Sequence, residues 1–128
     1  MSLVLDIADY VAANSYLVVD TDLFVGEELS DSPDPCVTIV GSPGYDTESG
    51  VEIRPFQVIA KDAAYVSAED LAKVVFDLLK NKPGFPSILE NVFYCEVLSS
   101  PFPLGRDARG RYIFISNFII RKKESEDS

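Results

Sequence analysis

The sequence predicts an α+β fold, a mainly antiparallel β-sheet with two helices packed on one face. Two segments, one at the N-terminus and one in the middle of the chain, repeat apolar residues at intervals of three and four, which is typical of amphipathic helices. The segments between and after them are rich in β-branched and aromatic residues, which favour strands. Short turns join several of these strands, and strand pairs joined in this way are antiparallel.

The first half of the chain is expected to form one helix and three strands. The helix covers residues 3–12, where the apolar positions line one face. Short strands follow at 23–25 and 36–40, and a longer strand covers 51–61. The polar stretch 45–50 before this longer strand is expected to be a mobile hairpin tip.

Pro55 lies inside the predicted strand 51–61, and the alternation of apolar residues changes phase at this proline. Proline has no N–H group to donate to a β-ladder. We therefore expect either a bulge at Pro55 or an edge position for the whole strand.

The second helix is expected to begin at Ser67, because Ser67-Ala68-Glu69-Asp70 resembles a capping box with an aspartate in place of the usual glutamate. Its apolar face is predicted to comprise Leu71, Val74, Val75, Leu78 and Leu79. Pro83-Gly84 is expected to end the helix.

Two strands are expected in the last third of the chain. The first covers 92–98 and leads into the serine- and proline-rich stretch 99–103, and the second covers 111–121. Both faces of the second strand are apolar, which predicts a central strand or one covered on both sides. The charged segment 122–128 has no apolar residue and is expected to be flexible, so we divide the chain into one domain, 1–121, and a C-terminal tail.

Several features indicate a cytoplasmic protein. No apolar run approaches the roughly 18 residues needed to cross a membrane. The N-terminus has no basic start and reaches Asp6 almost at once, unlike a secretory signal. Cys36 and Cys95 both lie in apolar runs, as expected of core thiols in a reducing compartment rather than of a disulfide.

The formal net charge is −10 and is unevenly distributed. Residues 1–60 carry eleven carboxylates against one basic residue, Arg54, whereas residues 61–128 carry ten carboxylates against ten lysines and arginines. A chain this acidic lacks the dense basic face that wrapping nucleic acid requires. The asymmetry favours head-to-tail contact between copies of the chain. The alternative is that the charge serves solubility alone.

Catalytic and metal sites have little support in the sequence. The chain has no histidine, the usual general base and a frequent zinc ligand. The remaining candidates are the carboxylate pairs Asp20 with Asp22 and Asp31 with Asp34, whose alternative role is turn formation and solubility. Two carboxylates make at best a weak site for a divalent cation. We therefore expect no enzymatic activity, no cofactor and no bound metal, and the alternative is an enzyme that relies on carboxylates such as Asp20 and Asp22.

The most informative segment is a compact basic turn. In the segment from Gly105 to Arg111, three arginines surround a single aspartate. A guanidinium binds carboxylates in a bidentate manner, so the turn is a candidate surface for docking acidic residues of a neighbouring copy. The alternatives are a hairpin turn that happens to be charged and a contact with DNA phosphates.

The order of short motifs along the chain resembles that of a known family. The motifs are Asp22-Leu23-Phe24-Val25-Gly26, Pro35-Cys36-Val37, Gly41-Ser42-Pro43-Gly44, Arg54-Pro55-Phe56-Gln57-Val58, and Asp107-Ala108-Arg109-Gly110-Arg111 followed by Asn117-Phe118. This ordered set looks like the small minor capsid proteins of tailed bacteriophages, a group that resembles the tail terminator proteins of long-tailed phages. The resemblance covers most of the chain.

The resemblance implies a structural role in virion assembly. Proteins of this group form a hexameric ring that caps the growing tail tube, stops its polymerisation and meets the head connector. The implied partners are therefore other copies of the chain, the tail tube protein and the head connector protein, while DNA passes through the ring without being specifically bound. Assembly would take place in the cytoplasm of the bacterial host, and the protein would lie in the tail or neck of the virion.

The family motifs and the basic turn together predict a subunit interface. It comprises Arg106, Asp107, Arg109, Gly110, Arg111, Arg54 and Phe56. Charge reversal at Arg109 or Arg111 is expected to prevent ring assembly and to leave the monomer folded. An alternative function is an acidic inhibitor that mimics DNA and binds a basic protein through the carboxylates of residues 1–60, although the arginines of the turn count against it.

Overall fold

The computed structural model describes residues 3–26, 33–42, 44–46, 50–80, 82–83 and 92–123. Within these residues the chain forms helix α1 (Leu3–Ala13) and helix α2 (Tyr65–Leu79). The strands are β1 (Leu23–Val25), β2 (Cys36–Gly41), β3 (Tyr45–Asp46), β4 (Val51–Asp62), β5 (Lys82–Pro83), β6 (Val92–Arg106) and β7 (Tyr112–Lys123). This content confirms the predicted α+β class.

The seven described strands belong to one sheet in the order β1-β2-β4-β7-β6-β5, with β3 beside β4. β1 and β2 are parallel, and the other pairs in the described part of the chain are antiparallel. β6 and β7 form a long hairpin, and β7 also pairs with β4 along its whole length. The central position predicted for the last strand is therefore confirmed.

Both helices pack on one face of the sheet, as predicted. α1 contacts β1 and β2, whereas α2 contacts β4, β6 and β7. At the centre, Phe56 of β4 and Phe118 of β7 lie opposite each other, and their rings stack with centroids 5.1 Å apart. The ring of Phe76 from α2 lies 5.9 Å from that of Phe118. Burying a side chain of this size contributes about 1.5–3 kcal/mol, so this face forms the main core.

The opposite face of the sheet is also apolar near its centre. Ile59 of β4 and Ile115 of β7 are directly paired and buried on this face. Ile113 and Ile119 flank Ile115 on the same face of β7 and are half-buried. The two apolar faces predicted for the last strand therefore both exist, with the helix-covered face the more deeply buried.

Pro55 lies in an interior strand, and the predicted bulge or edge position is wrong. The β4–β7 register runs without a break past Pro55, which is opposite Ile119. The Pro55 carbonyl accepts a hydrogen bond from the Ser42 N–H at 3.0 Å, so the backbone polar groups of Pro55 face β2. The β2–β4 register ends nearby, at the pair Gly41 with Phe56. Pro55 therefore lies at the end of the β2–β4 ladder, where the missing N–H costs at most the terminal hydrogen bond.

α2 begins at Tyr65, two residues before the predicted start, and the predicted capping box does not form. Ala64 is the N-cap residue, and no side chain caps the helix there. The ring of Tyr65 instead packs on two aromatic residues of β7, so tertiary contacts determine where the helix begins. The buried residues of α2 are Ala68, Leu71, Ala72, Val75 and Leu79. The predicted Val74 is 39% exposed, because it lies beside the stripe of positions 68, 71, 72, 75 and 79 that faces the sheet.

β6 continues through the stretch 99–103, which was predicted to follow the end of the strand. Its register against β7 shifts at several points, as at β-bulges. β5 pairs with β6 only at Tyr94 and Cys95, so the remainder of β6 is an edge strand in the described sheet. Prolines are tolerated on an edge strand, which explains why Pro101 and Pro103 do not end it.

Three predicted features lie partly outside the described residues. The hairpin tip is described at 45–46, which forms β3, whereas 47–49 lie outside. Of the helix stop Pro83-Gly84, only the proline is described, in β5. β7 ends at Lys123, beyond the predicted strand end, and the rest of the tail, 124–128, is not among the described residues. No helix in the described part of the chain is long and apolar enough to span a membrane.

Candidate subunit-docking site

One end of the sheet brings together three segments that are distant in sequence. The chain enters β2 after residues 33–35, passes from β4 into α2 through 63–64, and turns from β6 into β7 between Arg106 and Tyr112. The strand register pairs Lys61 with Cys36 on one side and with Ile113 on the other, which places these segments side by side. We call this end the turn end of the sheet.

The turn between β6 and β7 is held by backbone hydrogen bonds and by one carboxylate. The Asp107 N–H donates to the Arg111 carbonyl at 3.0 Å, and the Gly110 N–H donates to the Asp107 carbonyl at 2.9 Å. Asp107 Oδ1 accepts from the N–H groups of Arg109 and Arg111 at 3.0 and 2.9 Å. Gly110 has a φ of +80°, which glycine adopts without strain. The aspartate and the glycine of the motif therefore shape the turn itself.

A buried ion cluster lies beneath the turn. Asp107 Oδ2 accepts from Arg111 Nε at 2.8 Å and from Lys61 Nζ at 3.3 Å. Arg111 Nη1 donates to Asp34 Oδ1 at 3.2 Å and to the Pro33 carbonyl at 3.3 Å. The side chain of Arg111 is only 2% exposed. The cluster joins the segment before β2 to the turn and to β4.

The charges of this cluster stabilise one another. Burial by itself raises the pKa of Asp107, but hydrogen bonds from the backbone and side chain of Arg111 and from Lys61 outweigh it and hold that pKa well below its usual range. The pKa of Arg111 is raised, because its bonds to Asp107 outweigh the opposite effect of its own burial. Asp107 and Arg111 are therefore both charged at neutral pH.

Arg106 and Arg109 lie on the outside of the turn and are exposed. The Arg106 guanidinium lies over the Tyr112 ring, 4.4 Å from its centroid, and donates a hydrogen bond to the Tyr112 hydroxyl. The Tyr65 ring meets those of Tyr112 and Phe114 edge-on, at centroid distances of 5.5 and 5.0 Å. Cation–π and edge-to-face contacts hold these side chains in defined orientations.

This aromatic stack was not predicted from the sequence. Tyr65 and Tyr112 are far apart in the chain, and only the β4–β7 pairing brings the start of α2 next to the start of β7. The sequence contains only a weak indication of this contact. Tyr65 is the first residue of α2, and Tyr112 is the first residue of β7 and directly follows the basic turn.

The structure brings five of the seven predicted interface residues together in one turn, namely Arg106, Asp107, Arg109, Gly110 and Arg111. Phe56 is elsewhere, 2% exposed and stacked in the main core. Arg54 lies towards the other end of β4, opposite Ile120, and pairs with Glu52 at 3.5 Å. The guanidinium of Arg111 is enclosed by its own chain, so Arg106 and Arg109 are the arginines of the turn that reach solvent.

The carboxylates considered as catalytic or metal-binding candidates take part in local structure. Asp22 Oδ1 accepts from the Val18 N–H at 2.7 Å. Asp34 contacts Arg111 in the ion cluster, and Asp31 lies outside the described residues. Across the described ranges, no group of three or more potential metal ligands comes together. Turn formation and charge pairing account for the positions of Asp22 and Asp34.

Both cysteines are free and buried, as expected of core thiols. Cys36 Sγ accepts a weak hydrogen bond from Arg111 Nη1 at 3.7 Å. Cys95 belongs to the main core, and burial raises the pKa of its thiol to about 12. A thiol with such a pKa is not a nucleophile at neutral pH.

Comparison with known proteins connects this geometry to a biological role. The family model described as bacteriophage tail terminator protein matches residues 10–124, which span the last turn of α1, the whole of α2, all the described strands and the basic turn. No curated protein matches the chain.

Proposed function

Because the chain belongs to the bacteriophage tail terminator family, and is thereby a structural component of a phage tail, we propose that its copies form a closed hexameric ring. The ring caps the tail tube, stops its polymerisation and joins the tube to the head connector. The family match over residues 10–124 carries this proposal. It also favours a structural role over an acidic inhibitor that mimics DNA.

The basic turn supports a role in assembly. Arg106 and Arg109 project from a backbone held by Asp107, and Asp107 is in turn held by buried Arg111 and Lys61. A docking group on a rigid support loses little conformational entropy on binding. Arginine also binds carboxylates with two parallel hydrogen bonds, which gives orientation as well as affinity. In this proposal Arg106 and Arg109 make the contact, whereas Asp107, Gly110 and Arg111 shape the turn.

The position of Arg111 changes one expectation derived from the sequence. Charge reversal at Arg111 would place a carboxylate beside Asp107 and Asp34 in a buried site. Removing one partner of a buried ion pair costs about 3–5 kcal/mol, so this change would destabilise the monomer itself. The exposed Arg109 and Arg106 are the positions at which charge reversal tests assembly.

The net charge of −10 is compatible with a ring through which DNA passes. A negative lumen repels the phosphate backbone, whereas a basic lumen would hold the genome by releasing its counterions. The proposed partners are therefore other copies of the chain, the tail tube protein and the head connector protein, with no specific binding of DNA.

The sharpest test is electron microscopy of phage particles produced without this protein. We expect tails of irregular length that are not joined to heads, because nothing stops the tube from growing or presents a surface to the connector. Supplying the wild-type protein in trans should restore tails of uniform length, which controls for effects on neighbouring genes. Uniform tails attached to heads in its absence would refute the proposed function.

A further inference from the structure

Exposed apolar and aromatic residues lie, together with Arg106, on the segments that meet at the turn end of the sheet. This aromatic patch comprises Tyr65, Val66, Leu104, Arg106 and Tyr112. Val66 and Leu104 are among the most exposed large apolar side chains of the described chain. Tyrosine and arginine are among the residue types that contribute most at protein interfaces. The aromatic patch therefore has the composition of a binding surface.

A second exposed cluster lies in the loop between α1 and β1. This edge loop, residues 16–22, exposes Tyr16, Val18 and the carboxylate-bearing Asp20. Its backbone is well fixed: the Val18 carbonyl accepts from the N–H groups of Thr21 and Asp22, both at 3.1 Å, and the Val18 N–H donates to Asp22 Oδ1. Leu17 is buried in the core and anchors the loop. The edge loop thus presents two apolar side chains and one acid on a rigid support.

The two clusters lie at the same level on opposite edges of the sheet. The register aligns Leu23 of β1 with Val37, and then with Ala60, Phe114 and finally Pro103 of β6. The edge loop ends at residue 22, immediately before Leu23. The aromatic patch includes Leu104, which immediately follows Pro103. Four strand spacings, about 19 Å, separate β1 from β6. Lateral contact between such surfaces joins successive copies without a large offset along the strands, as a flat ring requires.

A contact between the aromatic patch of one copy and the edge loop of another would be made by side chains rather than by strand pairing. The outer edge of β6 carries Pro101 and Pro103 and is interrupted by register shifts, and both features discourage the addition of another strand. On the opposite edge, the Leu23 carbonyl already accepts from the Asp20 N–H at 2.9 Å within the same chain. Neither edge therefore offers a continuous row of backbone groups for β-augmentation.

We propose that the aromatic patch of one copy binds the edge loop of the next copy, with Arg106 and Arg109 facing Asp20 across the contact. This inference rests on the proposed ring and identifies the surfaces that close it. The occupant is a second copy because the two surfaces complement each other: each offers apolar side chains, and their charges are opposite. The surfaces differ, so the interface is heterologous and extends from copy to copy until a ring closes.

Thiol cross-linking tests the contact directly. Val18→Cys and Leu104→Cys replace side chains that are 55% and 56% exposed, so both changes should leave the fold intact. The native Cys36 and Cys95 are buried and should not react. A short bismaleimide added to purified particles containing V18C/L104C protein should link the copies into a ladder of multimers that ends at the closed ring. The matched control V18C with Val74→Cys, which places a thiol on α2 away from both surfaces, should give no ladder.

The outcomes separate this inference from the proposed function. Rings seen by electron microscopy without a ladder in V18C/L104C particles would overturn the proposed contact and leave the ring intact. Cross-links from either cysteine to the tail tube protein instead of to another copy would also overturn it, because that surface would then face a different partner. Cross-linking of the L104C variant alone would indicate a symmetric contact and contradict the heterologous interface. If the particles contain no ring of this protein, the proposed function itself is refuted.

Discussion

Asp107 and Arg111 stabilise the turn from below, while their neighbours Arg106 and Arg109 are presented above it. The Asp107 carboxylate accepts from two backbone N–H groups through one oxygen and from Arg111 and Lys61 through the other. Such a carboxylate is difficult to replace, because a neutral side chain would remove the charge that Arg111 and Lys61 share at this buried site. The arginine-rich motif therefore has two parts. Asp107 and Arg111 support the turn, and Arg106 and Arg109 are the residues proposed to make the contact.

The substitution Asp107→Asn should lower the free energy of unfolding by about 3–5 kcal/mol at pH 7, as expected for a broken buried ion pair. The pKa of Asp107 is depressed in the folded state. Its stabilisation is therefore complete above the unfolded value of about 4 and is lost as the pH falls further. The difference between wild type and D107N, measured by urea unfolding, should be constant above about pH 4 and shrink below it.

A matched control for this measurement is Asp77→Asn, which removes an exposed carboxylate paired with Lys80 at 3.2 Å. Exposed pairs of this kind contribute at most about 1 kcal/mol, so D77N should unfold almost as wild type does. A D107N difference that stays unchanged down to about pH 2 would contradict the role assigned to the charge of Asp107.

The elements show how tertiary contacts override local signals. Pro55 is accommodated in an interior strand because it lies at the very end of the β2–β4 ladder. α2 begins at Tyr65 without a side-chain cap, because the ring of Tyr65 packs against β7. In both elements the local residues favour another arrangement, but pairing and packing against the sheet determine the observed one.

The uncapped helix leads to a prediction at the scale of the element. Ala64→Ser should raise the free energy of unfolding by about 1 kcal/mol, because serine at the N-cap accepts a hydrogen bond from an unpaired N–H of the first turn. The Ala64 backbone is already extended, with φ −110° and ψ 141°, as a capping residue requires. The measurement is the urea midpoint at an unchanged m-value.

The control for the cap is Ala63→Ser, a change one residue earlier that adds the same hydroxyl at an exposed position outside the helix. It should have little effect on stability. Equal stabilisation by the two substitutions would show that the added hydroxyl, and not the N-cap position, is responsible.

Across the whole molecule, the exposed Arg106 and Arg109 lie beside β6 at one side of the sheet. The edge loop with its exposed Asp20 lies beside β1 at the opposite side. Charges on exposed surfaces are screened by salt, with a Debye length of about 10 Å at 0.1 M. If Arg106 and Arg109 contact acids of a neighbouring copy, assembly should weaken as the salt concentration rises.

Light scattering at increasing NaCl concentration measures this effect. We expect the mean mass of the wild-type protein to fall towards that of the monomer as salt rises. The variant Arg109→Glu should have a lower mass at low salt and respond less to salt, because part of the screened attraction is already lost. A wild-type mass that increases with salt would show that the contact is driven by apolar burial instead.

The candidate site was only partly readable from the sequence. The arginine-bearing turn could be recognised, because its glycines, aspartate and arginines are adjacent in the chain. The sequence could not show which arginine is buried, because Arg111 is enclosed by Pro33, Asp34 and Cys36, which come from a distant part of the chain. The same reason explains why Phe56 was assigned to the interface: a short strand motif does not reveal that its ring stacks on Phe118.

By itself, the sequence determined the α+β class, the positions of both helices, the central strand and the basic turn, because each depends on periodicity or turn residues within a short segment. Only the tertiary structure decided the strand order, the burial of Arg111 and the meeting of Tyr65 with Tyr112. These features depend on which distant segments become neighbours. Strand pairing sets that arrangement through long-range contacts, and local patterns do not encode it.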